Sequence, residues 1–437
     1  MKRTIISLLI ILAITAGACK KKVEPVIEEY TEAERGRDLL YGLMLDWYYW
    51  YKVMPAVDPD DFTDAASLLN AMMYKKYDRW SFVTDYESFT SYYEGNFVGH
   101  GIRIGLDTDN KARIAMIYER APLYSVGVRR GWIVKSVNGT DIAALLAARN
   151  YTAYNAVMQP ATAGITNNFV FTKPDGTDLS VSSTKATFSV NSVLKYDTLH
   201  LEAGVTGYLA FEAFIEPSFD ELEEAFAFFK VNDIKDLILD LRYNSGGMLD
   251  VATNLASYIA GNANAGKIFT RSDHNDRHTD ENSSVLLKST GYSLNLSRLV
   301  VITTRETASA SENVINGLLP YVDVTCIGDS TGGKPVGMYA FNDNQKKFIF
   351  APITFKLVNA DNQGDYFDGI IPFQYAPDDI TRDFGDRQEL SMSAAIAYLE
   401  GGGTKGFPVF EYAPARLAPG RPAWQHNTFM NLPDSEK

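Results

Sequence analysis

The second half of this sequence alternates between apolar, strand-like runs and amphipathic, helix-like runs. The segments GYLAFEAF (207–214) and KDLILDL (235–241) predict strands, and PSFDELEEAFAFFK between them predicts a helix. A further helix is predicted at MLDVATNLASYIA and a further strand at SRLVVITT. Strands joined by crossover helices form layered α/β sheets, so this order predicts an α/β core over residues 191–403.

The length and charge of the chain limit what else it can be. The 437 residues exceed one ordinary domain of roughly 100 to 200 residues and predict two or three. The net charge is -13, with no dense Lys/Arg block beyond the first residues. Because binding of phosphate backbones requires clustered positive charge, a nucleic-acid partner is not expected.

The N-terminus MKRTIISLLIILAITAGACKKK has the pattern of an export signal: a basic start, an apolar run and small residues. AGAC resembles a bacterial lipobox, with Ala16 in place of the usual Leu. This predicts a signal peptide at residues 1–18, lipidation of Cys19 and a charged tether at 19–30, with plain secretion as the alternative. The protein would then be lipid-anchored in the cell envelope, and CKKK, which lacks an Asp after the cysteine, favours the outer membrane.

Residues 31–94 predict a small helical domain. Leu39, Leu40, Leu43, Met44 and Trp47 recur at helical spacing, and DFTDAASLLNAMM begins with capping residues. The aromatic run WYYWY (47–51) is interpreted as packing of this domain, in preference to a membrane or ligand site.

Residues 95–190 change to short strand-like runs broken by Gly, Asn and Asp, with a turn at Asn138-Gly139. This segment resembles a PDZ domain in the circular order of bacterial proteases. By that resemblance the peptide-binding residues are those of the GHGIRI run: Gly99, His100, Gly101, Ile102 and Ile104. Backbone N–H groups at glycines can hold a carboxylate, and the strand edge can pair with an extended peptide. A simple β module is the alternative.

The remaining cysteine and the histidines predict no metal site. Cys326 lies in a strand-like run and is expected to be a buried, inert thiol. His274 and His278 have a metal-like spacing but no further ligands near them in sequence. Residues 404–437 are rich in Pro and predict either a loose tail or a strap across the surface.

Two glycine- or serine-rich exits from predicted strands are candidates for chemistry. In LILDLRYNSGGMLD, Gly246 and Gly247 permit close approach of backbone to a ligand and can supply an oxyanion-hole N–H, although an ordinary turn fits equally well. In ETASASENVINGL, a serine at a helix start suits a nucleophile. It equally suits the capping box formed by Ser309 and Glu312, and local sequence does not separate the two interpretations.

Downstream, GDSTGGKPVG offers Lys334 as a base, while no histidine lies in a comparable position. A Ser-Lys dyad is therefore favoured over a Ser-His-Asp triad. A lysine acts as a base only when neutral, and burial lowers its pKa toward that state.

The three motifs LILDLRYNSGG, TASASENV and GDSTGGKPVG, in this order and separation, resemble those of the carboxyl-terminal processing (tail-specific) serine peptidases. The resemblance implies a crotonase-like α/β core, an inserted-type PDZ domain and a helical N-terminal domain. It implies Ser309 as nucleophile, not Ser311, and Lys334 as base, with Glu312 near the dyad. Ala310 and either Gly246 or Gly247 would form the oxyanion hole, without any cofactor.

The sequence departs from the family pattern around the lysine. Pro335 follows Lys334, Met338 stands where a glutamine often orients the lysine, and Phe373 replaces an Asp after Pro372. The expected function is a serine endopeptidase whose PDZ domain captures proteins or peptides with apolar C-terminal segments. The alternatives are a non-catalytic peptide-binding scaffold and, less favoured, a crotonase-like enzyme acting on acyl thioesters.

Overall fold

A computed structural model describes residues 30–202, 204–296 and 298–401, together with the backbone of two short strands at 416–417 and 429–431. The predicted signal peptide, Cys19 and most of the predicted tail lie outside these residues. Within the described part, every helix is too short or too polar to cross a bilayer.

The N-terminal segment is helical, as predicted, but it also contributes a strand to the core. Thr31 and Glu34 form a capping box at the first helix, and Asp64 caps the second by accepting from the Ser67 N–H at 2.8 Å. The aromatic run packs inward, with Tyr48 fully buried. Its elements are α1 (Glu32–Asp46), α2 (Ala65–Met72), β1 (Phe82–Asp85) and α3 (Tyr86–Tyr93).

The next segment forms a β domain around its own hydrophobic cluster, which includes Ile104, Leu106, Val134 and Phe169. Asn138 and Gly139 both have positive φ, as the predicted Asn-Gly turn requires. Its elements are β2 (Asn96–Gly99), β3 (Ile102–Leu106), β4 (Ala112–Ile117), α4 (Pro122–Ser125), β5 (Ile133–Val137), α5 (Ile142–Ala147), α6 (Tyr151–Met158), β6 (Thr166–Thr172), β7 (Asp178–Thr184) and β8 (Ala186–Ser189).

The core confirms the predicted alternation of strands and helices and has a mixed α/β fold. Every residue of the strand in LILDL is buried, which explains its continuous apolar run. The core elements are β9 (Val193–Leu201), β10 (Gly204–Phe211), α7 (Ser218–Val231), β11 (Asp236–Asp240), β12 (Gly247–Met248), α8 (Leu249–Ala260), β13 (Ile268–His274), β14 (Ser283–Leu286), β15 (Arg298–Thr303), α9 (Ala310–Leu318), β16 (Asp323–Gly328), β17 (Val336–Tyr339), β18 (Phe341–Asn342), β19 (Phe348–Ala351), β20 (Ile353–Val358), β21 (Gln374–Tyr375) and α10 (Leu390–Leu399).

Two sheets of the core position the candidate site. One has the strand order β21-β16-β15-β11-β10-β9, and all of its neighbours are parallel except β9 and β10. The other has the order β12-β23-β17-β20-β13-β14, where β23 is the strand Phe429–Asn431 of the tail. The second tail strand, β22 (Arg416–Leu417), pairs with β3 of the β domain.

Candidate active site

The two candidate loops lie side by side because the strands that precede them are neighbours. β11 and β15 run parallel, with Asp240 opposite Ile302. Just beyond them, the Ala308 N–H donates to the carbonyl of Asn244 at 3.2 Å. The glycine turn (residues 241–247) and the serine loop (residues 304–309) therefore leave the same edge of the sheet. Parallel α/β folds usually bind ligands at this edge.

Ser309 lies between β15 and α9 in a strained backbone conformation. Its φ of 62° and ψ of -116° are unusual for a residue with a side chain, and such conformations cost on the order of 1–3 kcal/mol. The residue is fully buried, and its hydroxyl has no hydrogen-bond partner among the described residues. The surrounding fold thus holds this hydroxyl on strained backbone without using it in a structural hydrogen bond.

Ser311 differs from Ser309 in what its hydroxyl does. It donates to the carbonyl oxygen of Asn244 at 2.9 Å and so ties α9 to the glycine turn. The capping interpretation applies to the backbone of Ser309, whose N–H donates to Glu312 Oε2 at 2.9 Å, while the reciprocal bond to the Ser309 hydroxyl is not made. The nucleophile interpretation of Ser309 stays a prediction.

Glu312 joins the serine loop to the lysine loop, which is residues 329–335 between β16 and β17. Its Oε2 accepts from the backbone N–H groups of Ser309 at 2.9 Å and Lys334 at 2.7 Å. Its Oε1 accepts from the Gly333 N–H at 2.6 Å and the Thr331 hydroxyl at 2.5 Å. Burial raises the pKa of this carboxyl, while the four hydrogen bonds act in the opposite direction. Since one oxygen contacts both backbone nitrogens, Ser309 and Lys334 are immediate neighbours in space.

Lys334 is fully buried, and this burial lowers its pKa to about 7. The negative charges of Asp78 and Glu312 act in the opposite direction. The preceding Gly333 has a φ of 83°, and a Cβ there would lie 2.3 Å from the Phe367 carbonyl oxygen, so only glycine fits. A large fraction of such a lysine is neutral near pH 7, which a general base requires.

Two residues of the N-terminal segment that were not predicted as site residues act on the lysine loop, Asp78 through its charge on Lys334 and Arg79 through a hydrogen bond. Asp78 is buried and accepts from the hydroxyls of Tyr48 and Ser81 at 2.7 and 2.6 Å. Arg79 donates to the carbonyl of Gly332 at 3.0 Å. The only local signal was a charged pair beside Trp80, and nothing in the sequence linked it to a loop so far along the chain.

Hydrogen bonding within the glycine turn reduces the number of N–H groups that could form the oxyanion hole. The Gly246 N–H donates to Asn244 Oδ1 at 2.9 Å, so it is already used within the turn, and the prediction for Gly246 is wrong in this conformation. Gly247 has a φ of 139°, and a Cβ there would lie 2.1 Å from the Phe214 carbonyl oxygen. Ala310 occupies the first position of α9, where N–H groups lack partners within the helix. Gly247 and Ala310 remain the candidates.

The predicted peptide-binding residues of the β domain differ in burial: the side chains of His100 and Ile104 are buried, and that of Ile102 is half-buried. His100 is buried and its ring nitrogens contact Ser183 Oγ and Asn167 Oδ1 at 2.9 and 2.8 Å, so its side chain is part of the domain interior. Ile104 also points into the domain core, which corrects its expected place in a groove, and Ile102 is half-buried. Gly99 ends β2, and the carbonyl of Gly101 accepts from the Tyr118 N–H.

An ion pair connects the β domain to the serine loop. Arg103 of β3 binds both carboxylate oxygens of Glu306, three residues before Ser309, at 2.5 Å each. Two parallel hydrogen bonds of this kind fix orientation as well as distance. Nothing in the sequence around ETASASE indicates a contact with residue 103.

The residues that depart from the family pattern are packed in the core. Met338 is fully buried in β17, and Phe373 lies against Tyr398 with ring centres 5.2 Å apart.

Cys326 is buried as predicted, and burial raises the pKa of its thiol to about 12. His278 stacks on Trp47 at 3.6 Å, and His274 contacts the Tyr339 hydroxyl at 3.1 Å.

Known proteins resemble this chain in both sequence and fold. The carboxy-terminal-processing protease of Bartonella bacilliformis is 27% identical over 251 residues, covering 55% of this chain and 52% of that protein. The carboxy-terminal processing protease CtpB of Bacillus subtilis is 24% identical over 255 residues, covering 57% and 49%. The chain therefore spans about half the length of these curated relatives.

A solved structure of an S41 protease from Bacteroides fragilis shares the fold, with a TM-score of 0.69 and 24% identity over 83% of this chain and 97% of that one. Residues 205–372 match the model described as Peptidase family S41, and residues 37–82 match the one described as Peptidase S41 N-terminal domain. These two segments of the chain are therefore similar to the peptidase domain and to the N-terminal domain of family S41.

Proposed function

We propose that this protein is a serine endopeptidase that uses Ser309 as nucleophile and Lys334 as general base. One observation supports this most strongly: an unbonded serine hydroxyl on strained backbone adjoins a buried lysine whose pKa is lowered to about 7. Glu312 holds the two residues together through their backbone N–H groups. The S41 match over the same residues agrees with this chemistry.

In the proposed reaction, the Ser309 oxygen attacks the peptide carbonyl while neutral Lys334 takes the hydroxyl proton. The oxyanion that forms accepts hydrogen bonds from Ala310 and Gly247. Lysine then gives its proton to the leaving amine, and the C–N bond breaks to leave an acyl ester on Ser309. Water, deprotonated by Lys334, hydrolyses that ester and restores the serine. No metal or organic cofactor enters these steps.

The Ser309 hydroxyl and the Lys334 amine must form a hydrogen bond before the first step. Because the Ser309 hydroxyl makes no hydrogen bond among the described residues, Lys334 Nζ is not yet bonded to it. Catalytic hydrogen bonds often shorten only when substrate binds, so this geometry fits a resting enzyme.

We also propose that the β domain captures extended or C-terminal peptide segments and that Cys19 anchors the protein by lipid in the cell envelope. The edge of β3 accepts another strand in antiparallel pairing, which is how such domains bind peptides. The lipid proposal rests on the AGAC pattern alone. It fails if labelled fatty acid does not enter the protein, or still enters a Cys19→Ser variant.

The direct test measures cleavage of an unfolded protein with an apolar C-terminus. Ser309→Ala and Lys334→Ala are each expected to lower the rate by at least about 10⁴-fold while peptide binding is retained. The matched control is Ser311→Ala, which removes a hydroxyl two residues away, in the first turn of α9, and should keep far more activity than Ser309→Ala because only the bond to the Asn244 carbonyl is lost. If Ser311→Ala is inactive and Ser309→Ala is not, the nucleophile is misassigned.

A peptide-binding scaffold is the second candidate, because Met338 replaces the residue that often orients the lysine. Tight peptide binding by wild-type protein with no turnover of any unfolded substrate would favour it.

A further inference from the structure

Each of the two described tail strands pairs with a strand edge at which the proposed function would place a bound peptide. β22 adds to the edge of β3, the strand expected to capture peptides. β23 lies between β12 and β17, at the candidate active site. The tail therefore contacts both places where a substrate would lie.

The position of β23 is set by its backbone register. Phe429 is opposite Gly247 and Met430 is opposite Met248 on one side, and Met430 is opposite Met338 on the other. Gly247 is the oxyanion candidate, and β17 begins two residues after Lys334. Since neighbouring strands are about 4.8 Å apart, the gap between β12 and β17 is one strand wide, and β23 fills it.

The direction of β22 matches that expected of a captured peptide. Arg416 is opposite Leu106 and Leu417 is opposite Gly105, in antiparallel pairing. Residue numbers thus fall along β3 as they rise along β22, so β22 runs toward the Gly99–Gly101 end of β3. That end carries the loop expected to hold a peptide carboxylate.

One continuous peptide can lie on both edges. The chain between Leu417 and Phe429 spans at most roughly 40 Å when fully extended, at about 3.3–3.6 Å per residue. This length is an upper limit for the separation of the two edges. A segment of about 16 residues is therefore long enough to lie on both at once.

We propose that the tail is an intramolecular ligand that blocks the peptidase: residues 416–417 dock on β3, and residues 429–431 fill the gap beside Gly247 until a substrate displaces them. This inference rests on the proposed function. Strand pairing uses main-chain hydrogen bonds, which any extended peptide can offer, so a substrate competes for the same groups. A tethered segment competes at an effective concentration in the millimolar range, which keeps weakly binding peptides out.

The test uses full-length chains with single prolines, because proline lacks the N–H that a paired strand donates. Met430→Pro is expected to raise the rate of cleavage of an added unfolded protein by about tenfold, and Leu417→Pro by less. Gln425→Pro, which lies between the two strands, is the matched control and should leave the rate unchanged. A synthetic peptide of residues 411–435 should inhibit Met430→Pro competitively.

A rate for Met430→Pro equal to or below that of wild type would overturn the inference. Cleavage of wild-type chain within residues 429–431, absent from Ser309→Ala, would overturn it as well, because the tail would then be a substrate.

A binding measurement separates this inference from the proposed function. Labelled 411–435 peptide is added to Ser309→Ala chains with and without Met430→Pro. Tighter binding to the Met430→Pro chain supports the inference, whether or not any variant cleaves a substrate. Absence of cleavage by every variant would refute only the peptidase activity. Equal binding to both chains would overturn the inference while leaving the activity intact.

Discussion

The serine loop and the lysine loop are held in place in different ways. The serine loop is fixed from within the core, by strained backbone at Ser309 and by the bond from Ser311 to Asn244. The lysine loop is held largely from outside its own sequence, by Arg79 of the N-terminal segment and by Glu312 of α9.

The difference shows in what acts on Lys334. Glu312 binds the Lys334 backbone, and the charge of Asp78 acts on its side chain, so two residues outside the lysine motif influence Lys334. Within the motif itself, Gly333 has a φ of 83° that favours glycine, so the loop depends on its own sequence as well.

Of the changes that test this comparison, the largest effect is expected from one that removes the base but keeps its positive charge. Lys334→Arg should lower the cleavage rate by at least about 10³-fold at every pH, because arginine stays protonated. For wild type, the base is the neutral form, so the rate should rise with pH through a midpoint near 7 and then level off. A rate that falls as pH rises from 6 to 8 would contradict the role of Lys334.

The next largest effect concerns the carboxylate that joins the two loops. In Glu312→Gln, the new amide NH₂ would face backbone N–H groups that now donate to an oxygen, and leaving such buried groups unpaired costs about 1–3 kcal/mol each. Unfolding in denaturant should show a loss of about 2–5 kcal/mol, with activity reduced at least 100-fold. Glu223→Gln, on the exposed side of α7, is the control and should change neither. An unchanged unfolding midpoint for Glu312→Gln would show that the two loops are not coupled through it.

A smaller effect is expected from the N-terminal support. Asp78→Asn keeps the shape of the side chain but removes a charge that raises the pKa of Lys334. The pH–rate midpoint should therefore move to lower pH, by up to about one unit. Asp343→Asn changes another buried carboxylate, one that binds the Lys347 and Phe348 N–H groups, and should leave the midpoint in place. A shift to higher pH in Asp78→Asn would mean that the electrostatic role is wrong.

The smallest effect concerns the link between the β domain and the serine loop. Arg103→Ala and Glu306→Ala should each lower the cleavage rate a few-fold, and a double-mutant cycle should give a coupling of about 1 kcal/mol for this partly exposed pair. Raising the salt concentration should weaken the coupling. Strictly additive effects of the two changes would show that the pair does not transmit position to Ser309.

The elements that the sequence predicted well are those with local signals. Buried apolar runs such as LILDL and the Asn138-Gly139 turn are determined by nearby residues. Ser309, Lys334 and Glu312 were chosen from short motifs, and the structure places the backbones of the first two next to the carboxylate of the third, while their catalytic roles stay predictions. Contacts between distant segments could not be predicted this way. Nothing near Asp78, Arg79 or Arg103 in sequence indicates which loop each will contact.

His100 and Gly246 show the other limit of motif reasoning. Each residue type suited the expected role, but His100 meets Ser183 and Asn167 inside its domain, and the Gly246 N–H meets Asn244. Only the three-dimensional arrangement decides whether a suitable group is already occupied.

The pairing of β1 with β19 has a consequence for how the chain is made. Phe82 lies opposite Ala351, so the N-terminal segment cannot complete its packing until most of the chain has been synthesised. Contacts between such distant residues slow folding, because a long loop must close first. The N-terminal segment is therefore expected to be among the last parts of the molecule to reach its final packing.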